Sequence, residues 1–262
     1  AELNKIILAL TSVGLLILLI FPVSLSASHF RYGTMSWDTP HDNGTVRLNM
    51  EIGWRTAYNA VFQTLGNRNT TYVDIDWGDG GDNDSVTIRT TGIDGETNGS
   101  SITEMGVWDG STWTPGVKNN YDNGTYEVTW YSCCRIDDIK NIPDDTSWRG
   151  ETKVTIGGIH AGNVSPVSAV PPIVQVQDNT KFIYQVSAAD ANTGDNLHFR
   201  WGTYQEFVDN LSNSTFSVPT GMTLSSDGIV EWNVLDNNSA ISTVKDDMWL
   251  AFIMVEDNSS SG

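Results

Sequence analysis

Acidic side chains spaced for cation binding are the residues of this sequence best suited to chemistry. Asp190, Asn192 and Asp195 lie close together on a glycine-containing segment. Three oxygen-bearing side chains on a tight loop suit calcium, which takes six to eight oxygen ligands. Glu256 and Asp257 could approach this loop across a sheet. The alternative is a hairpin turn capped by the Asp and Asn side chains. We predict a calcium site at Asp190, Asn192 and Asp195.

A weaker calcium candidate lies in the first half of the chain. Five acidic residues fall within eleven positions there: Asp74, Asp76, Asp79, Asp82 and Asp84. Counted from Asp74, the sixth position holds Asp79, whereas an EF-hand loop requires glycine at that position. The register therefore excludes an EF-hand, and turn formation around Asp79 is the favoured alternative.

The sequence contains no arrangement typical of catalysis. Its four histidines, at positions 29, 41, 160 and 198, lack HExxH spacing, and no Gly-x-Ser-x-Gly or phosphate-binding loop occurs. Pairs of carboxylates are expected by chance in so acidic a chain, so they do not by themselves indicate glycoside hydrolysis. We predict that the protein is not an enzyme.

The charge balance excludes one class of partner. The 262 residues include 32 Asp and Glu but only 14 Lys and Arg, which gives a formal net charge of −18. Proteins that bind nucleic acid through its phosphates need clustered basic residues. We therefore expect no nucleic-acid partner.

Two tryptophans lie in a polar stretch without an obvious core role. Trp108 and Trp113 could stack on sugar rings, which makes carbohydrate binding the alternative to a structural function. The competing interpretation is that both indoles pack this stretch onto the rest of the domain.

The only two cysteines, Cys133 and Cys134, are adjacent in the sequence. A zinc site or a disulfide framework would need more ligands or more separated cysteines. Three interpretations stay open: a vicinal disulfide, two free thiols, or a bond to a partner chain.

Asn-X-Ser/Thr sequons are frequent, and glycosylation at them depends on the host. They occur at Asn43, Asn69, Asn83, Asn98, Asn123, Asn163, Asn210, Asn213, Asn237 and Asn258.

The first 27 residues predict export. Lys5 precedes an apolar run over residues 6–21, and small residues follow up to Ala27. This order is typical of a signal peptide, and the alternatives are an uncleaved membrane anchor or a helix that packs in a self-assembly. We expect an extracellular or cell-surface location, with membrane contact only if the segment is retained.

Short alternating or apolar stretches separated by Gly, Asn and Asp turns predict an all-β fold of tandem antiparallel β-sandwiches. A proline-rich linker at 163–172 divides the chain into domains 28–165 and 166–262. The first is larger than an ordinary sandwich, which predicts an insertion at about 92–120. The second ends in a turn-like segment, so we expect it to lack its last strand.

Segments of each domain resemble known repeats. Val73-Asp-Ile-Asp-Trp-Gly-Asp-Gly80 and Tyr121-Asp-Asn-Gly-Thr-Tyr-Glu-Val128 resemble strands of the polycystic-kidney-disease-type (PKD) sandwich, although the family usually has Trp-Asp-Phe before Gly-Asp-Gly. Residues 185–195 and 218–230 resemble cadherin-like, Ig-like repeats of microbial surface proteins. The resemblance implies a structural or adhesive surface module whose partners are other surface or matrix proteins or glycans. An accessory domain of a larger secreted enzyme is a further alternative.

Overall fold

The computed structural model describes residues 29–40, 44–70, 72–94, 99–143, 147–168, 173–177, 180–208, 217–234 and 247–258. The predicted signal or anchor segment, residues 1–27, lies outside this part of the chain. Within it, no helix is long and apolar enough to cross a membrane.

Eleven strands build the first unit. They are β1 (Phe30–Asp38), β2 (Thr45–Arg55), β3 (Arg68–Asn69), β4 (Asp74–Asp76), β5 (Asp84–Ser85), β6 (Thr87–Asp94), β7 (Ser100–Trp108), β8 (Trp113–Pro115), β9 (Val117–Asn120), β10 (Gly124–Ser132) and β11 (Trp148–Ile156). One sheet has the order β1-β2-β7-β6-β3, with β8 added to β7 and β9 added to β2. The facing sheet has the order β11-β10-β4-β5, and all pairings are antiparallel.

Period-two patterning on β2 shows why these residues form a sandwich. Successive side chains of a strand point to opposite faces, so every second residue reaches the core. On β2 the inward residues are Val46, Leu48, Met50, Ile52 and Trp54, and all are buried. They pack against inward residues of the facing sheet, including Val128, Trp130, Trp148 and Val154.

The segment predicted as an insertion, at about 92–120, contributes strands β7, β8 and β9 to the main sheet. Strand β7 lies between β2 and β6, and its residues Ser101, Thr103 and Met105 are buried. The Thr103 hydroxyl accepts a hydrogen bond from the Trp54 indole at 2.8 Å and donates to the Ile52 carbonyl at 3.2 Å. Because small polar residues occupy its inward face, β7 lacks the apolar alternation by which a core strand is recognised.

Shorter strands and one four-residue helix form the second unit. The elements are β12 (Val167–Ser168), β13 (Lys181–Gln185), β14 (Ala188–Ala189), β15 (Leu197–Trp201), α1 (Tyr204–Phe207), β16 (Met222–Leu224), β17 (Ile229–Asn233) and β18 (Ile253–Asp257). They pair as β13-β17-β16, β15-β18 and β12-β14. A core of Val186, Phe199 and Val230 lies between the first two groups of strands. The all-β class and its antiparallel sheets confirm the predicted fold.

The two units are in contact beyond the linker. Arg135, in the loop after β10, is buried between the rings of Phe30 and Phe207, each 5.6 Å from its guanidinium carbon. Its Nη2 donates to the Phe207 carbonyl at 2.6 Å. Asn141 donates to the carbonyls of Ser217 and Leu250 at 3.0 and 2.9 Å. These contacts hold the second unit against the β10–β11 loop.

Truncating a leucine in the sandwich core should be far more costly than truncating one at the surface. Leu48 is fully buried, so Leu48→Ala should lower the free energy of unfolding by about 2–5 kcal/mol. Leu65 is 61% exposed, so Leu65→Ala should change it by less than about 0.5 kcal/mol. Urea unfolding of both variants tests this, and equal losses would contradict the placement of β2.

Candidate metal centre

Three carboxylates converge at one end of the second unit. Asp190 follows β14, Asp195 precedes β15, and Asp257 is the last residue of β18. Antiparallel pairing of β15 with β18 places Leu197 opposite Asp257, which brings the end of β18 beside the 190–195 loop. One oxygen from each of the three carboxylates lies within 4.8 Å of the others. Among the described residues this is the one group of three or more acidic, His or Cys side chains with that spacing.

Asp190 is the least favourably placed of the three carboxylates. Its Oδ1 accepts the Asn192 backbone N–H at 2.7 Å, whereas its Oδ2 is buried and has no hydrogen-bond partner among the described residues. Burial raises the pKa of Asp190, and the charges of Asp257 and Asp195 raise it further. A buried, unpaired carboxylate oxygen beside two like charges is costly unless a proton or a cation neutralises it. The cluster therefore has the electrostatics of a cation site.

Asn192 makes hydrogen bonds to the linker through its side chain, and its role as a direct ligand stays a prediction. Its Oδ1 accepts the Val164 backbone N–H at 3.0 Å, and its Nδ2 donates to the Gly162 carbonyl at 3.0 Å. The side chain thus ties the acidic loop to the linker between the two units. Asp257 supplies the third carboxylate, while Glu256 turns away and pairs with Arg200 at 2.7 Å.

Four of the five carboxylates of the first acidic cluster accept hydrogen bonds within turns or from neighbouring side chains. Asp76 Oδ1 accepts the Gly78 N–H at 2.9 Å, and Asp84 Oδ2 accepts the Trp77 indole N–H at 2.8 Å. Hydrogen bonds from Asn119 and from the Gly81 amide hold the pKa of Asp79 below its usual range. Among the described residues, no three of these five carboxylates come together as a metal site would require. Asp76 and Asp79 accept turn amides, as the turn alternative expects, and calcium binding at this cluster stays a prediction.

Trp108 and Trp113 face each other across the β7–β8 hairpin. The guanidinium of Arg68 lies 3.8 Å from the Trp108 ring centroid, and that of Arg89 lies 4.9 Å from the Trp113 centroid. Each indole therefore has one face covered by an arginine. Trp108 is 37% exposed. Carbohydrate binding at these two residues stays a prediction.

Cys133 and Cys134 are joined in a vicinal disulfide at the end of β10. The Cys134 carbonyl accepts the backbone N–H groups of His29 and Phe30, both at 3.1 Å. The Cys133 carbonyl accepts the Trp148 indole N–H at 3.2 Å. The cysteine turn is thereby fixed to the start of β1 and to the core.

The sequons differ in accessibility. Five lie outside the described residues: Asn43, Asn98, Asn210, Asn213 and Asn237. Of the other five, Asn83, Asn123 and Asn258 are exposed, Asn69 is half-buried and Asn163 is buried. Glycosylation stays a prediction at all ten positions.

The raised pKa of Asp190 predicts a pH-dependent stability in chelator. The native state binds more protons than the unfolded state from about pH 4 up to the raised pKa, so stability falls as pH rises through that window. Asp190→Asn removes the cost of ionisation and keeps the bond to the Asn192 N–H. We expect a higher Tm than wild type at pH 7, with the difference shrinking below about pH 4.

Thermal melts in EDTA at several pH values check this expectation. The matched control is Asp227→Asn, which removes the same charge from an exposed turn of the same unit. Asp227→Asn should show no comparable pH-dependent gain in Tm over the wild type. A lower Tm for Asp190→Asn in EDTA at pH 7 would contradict the electrostatic assignment.

Comparison with known proteins shows what this chain is similar to. The chain is 28% identical over 213 residues to integrin beta-like protein C and 28% identical over 218 residues to integrin beta-like protein B, both of Dictyostelium discoideum. Integrin beta-like protein A of the same organism is 29% identical over 219 residues. These alignments cover 77–81% of this chain but 10% of each relative, so the chain spans about a tenth of their length.

No solved structure matches the chain significantly. Residues 31–157 match the family model described as "Integrin beta-like protein A-E, N-terminal". The match begins one residue into β1 and ends one residue after β11, so it coincides with the first β-sandwich. The finer resemblance to PKD-type and cadherin-like repeats stays a prediction. At the level that these findings support, the first sandwich is similar to the N-terminal region of integrin beta-like proteins.

Proposed function

We propose that this chain is a non-catalytic adhesion or structural module at the cell surface or outside the cell, and that calcium stiffens its interdomain junction. The similarity to integrin beta-like proteins over most of the chain supports the adhesive role. The all-β architecture agrees with it, since sandwiches are widely used as cell-surface domains. The observation that carries the calcium proposal is the convergence of Asp190, Asp195 and Asp257.

Calcium would act at the junction because the acidic loop is bonded to the linker. Asn192, within the loop, holds both Gly162 and Val164. Strand β12, just after these residues, pairs with β14, which directly precedes Asp190. A cation that neutralises the cluster would therefore order the loop, the linker and the end of β18 together. The remaining calcium ligands would be backbone carbonyls or water, as is usual for this ion.

Other parts of the junction are held by direct contacts that need no metal. Arg149 on β11 donates to the Gln205 carbonyl at 2.6 Å, next to the contact of Arg135 with Phe207. With these parts held by the two arginines, fixing the acidic loop would leave little freedom for bending. A stiff pair of sandwiches suits a module that presents a binding surface away from the membrane.

The net charge of −18 also fits a surface module. Like charge repels non-specific contacts and raises the local concentration of divalent cations. The partners that we propose are other surface or matrix proteins or glycans, with self-assembly as a further mode. We expect no nucleic-acid partner, because the chain has few basic residues to neutralise phosphates.

Calcium should raise the Tm of the protein after removal of bound metal. A ligand that binds only the native state stabilises it by about 2.7 kcal/mol at 100 times its Kd, which corresponds to several degrees. We expect such a rise with millimolar calcium in the wild type. We expect no rise in Asp190→Asn or Asp195→Asn.

The control for this experiment is Asp82→Asn in the first acidic cluster, where Asp82 is exposed. This variant should keep the full calcium response. A calcium-dependent rise in Tm that persists in both Asp190→Asn and Asp195→Asn would rule out the proposed site. Absence of any rise in the wild type would reject calcium stiffening but leave the adhesive role open.

Adhesion itself is tested with beads that carry the folded protein. Beads with wild-type protein should attach to cells or matrix more strongly than beads with an unrelated sandwich domain of similar net charge. Equal attachment of the two bead types would count against an adhesive role.

A further inference from the structure

A cavity of about 420 Å³ lies at one end of the first sandwich, at the vicinal disulfide. Its position follows from strand ends that meet there. His29 precedes β1, Asp74 begins β4, Tyr131 lies near the end of β10, and Cys133 directly follows that strand. Antiparallel pairing of β10 with β4 places Tyr131 directly opposite Asp74. The volume falls in the range of small-molecule sites.

Aromatic rings and one carboxylate dominate the lining of this cavity. Tyr58, Tyr72 and Tyr131 contribute phenol rings, and Asp74 contributes the carboxylate. His29 and two serines complete the polar lining together with Cys133, and none of the described lining residues is Lys or Arg. The electrostatic character of the cavity is therefore negative, inside a protein with a large negative net charge.

The rings are held in place by their neighbours. Tyr58 stacks on the buried His29 at a centroid distance of 3.7 Å, and it meets Tyr72 edge to face at 5.9 Å. The Asn59 side chain donates to the Tyr72 hydroxyl at 2.8 Å. The Asn83 side chain donates to the Tyr131 hydroxyl. Burial raises the pKa of Tyr72, so its phenol stays neutral at physiological pH.

A hydrogen bond also orients the carboxylate of Asp74. Its Oδ1 accepts the Ser85 hydroxyl at 2.5 Å across the β4–β5 pair. A carboxylate with no basic partner among the described residues and three phenol rings around one cavity form the kind of surroundings that bind an organic cation. Electron-rich ring faces attract ammonium and guanidinium groups, and a carboxylate adds direct charge pairing.

We propose that this cavity binds an organic ammonium or guanidinium group, with Asp74 as its counter-ion and Tyr58, Tyr72 and Tyr131 as its aromatic wall. The ligand is either a small amine or a basic side chain of a partner protein, and the same chemistry recognises both. The cavity is separate from the acidic cluster at Asp190. A result against cation binding in the cavity would therefore leave the calcium proposal unaffected.

A neutral sugar is the competing ligand, because phenols and hydroxyls also line sugar sites. Two features favour the cation. The one strongly charged group of the described lining is a carboxylate, and the charge of the whole chain attracts cations toward the cavity.

The test is a titration of the folded protein, by calorimetry, with five probes at fixed ionic strength, and methyl glucoside serves as the neutral sugar among them. Choline and its uncharged isostere 3,3-dimethylbutanol differ essentially in charge. Butylammonium and methylguanidinium represent lysine and arginine side chains. We expect choline to bind roughly tenfold more tightly than the isostere, a difference in the range of desolvated cation–π contacts. Tighter binding of the two side-chain probes than of choline would assign the site to a protein partner.

Two variants locate the binding in the cavity. Asp74→Asn should weaken binding of the preferred cation at least fivefold and leave 3,3-dimethylbutanol unchanged. Tyr131→Leu should also weaken binding of the cation. A wild-type circular dichroism spectrum of this variant would show that the loss does not come from misfolding. The matched control is Asp82→Asn, which removes one nearby exposed charge outside the cavity and should have little effect.

Three results would overturn the proposal. They are binding of the isostere or of methyl glucoside as tight as that of the cations, an equal loss in Asp82→Asn and Asp74→Asn, and no cation binding by the wild type. The calcium melts described above are read independently of each of these results.

Discussion

The stacking of Phe30 on Trp148 is the contact on which the rest of the structure depends. Phe30 begins β1 in one sheet, Trp148 begins β11 in the other, and their ring centroids lie 3.4 Å apart in a stacked arrangement. Trp54 and Trp130 meet Phe30 edge to face, at 6.2 and 5.9 Å. Aromatic side chains bury large areas, so this group holds the two sheets together.

The same aromatic group also orders what surrounds it. On one side, Arg135 lies over the Phe30 ring and reaches the Phe207 carbonyl of the second unit. Burial lowers the pKa of Arg135 to about 9, because the charged form is taken out of water. On another side, the backbone of Phe30 and the indole of Trp148 hold the carbonyls of the cysteine turn. The contact between the two units and the cavity at the disulfide therefore both depend on the end of the first sandwich where Phe30 stacks on Trp148.

Excess negative charge is the second constraint on this molecule. Many of the carboxylates in the described part of the chain are used locally, in turns such as those around Asp76 and Asp79 or in ion pairs such as Asp38 with Arg47. Asp190, Asp195 and Asp257 differ because the fold collects three charges at one place. A carboxylate in water keeps its charge at little cost in free energy. A partly buried carboxylate beside other carboxylates instead favours protonation or a bound cation. The difference between the two acidic clusters is therefore one of burial and convergence, not of composition.

Local patterning accounts for the correct part of the sequence-based prediction. Three features each depend on a few neighbouring residues and can be recognised from the sequence alone. They are the alternation on β2, the Gly and Asn turns, and the acidic loop at Asp190 to Asp195. The central position of β7 was missed because Ser101 and Thr103 are polar, and they are accommodated in the core only by hydrogen bonds to β2 and its surroundings. The role of Asn192 was also missed, since its partners lie 28 and 30 positions earlier in the chain.

The sequence by itself determined the all-β class, the acidic surface, and the residue types of the candidate calcium loop. Only the tertiary structure decided which of the two acidic clusters brings its oxygens together, and that the third carboxylate comes from Asp257. It also decided that Tyr58, Tyr72, Asp74 and Tyr131 share one cavity. The physical reason is that antiparallel pairing brings together strand ends that lie tens of residues apart, and no local pattern records which ends will meet.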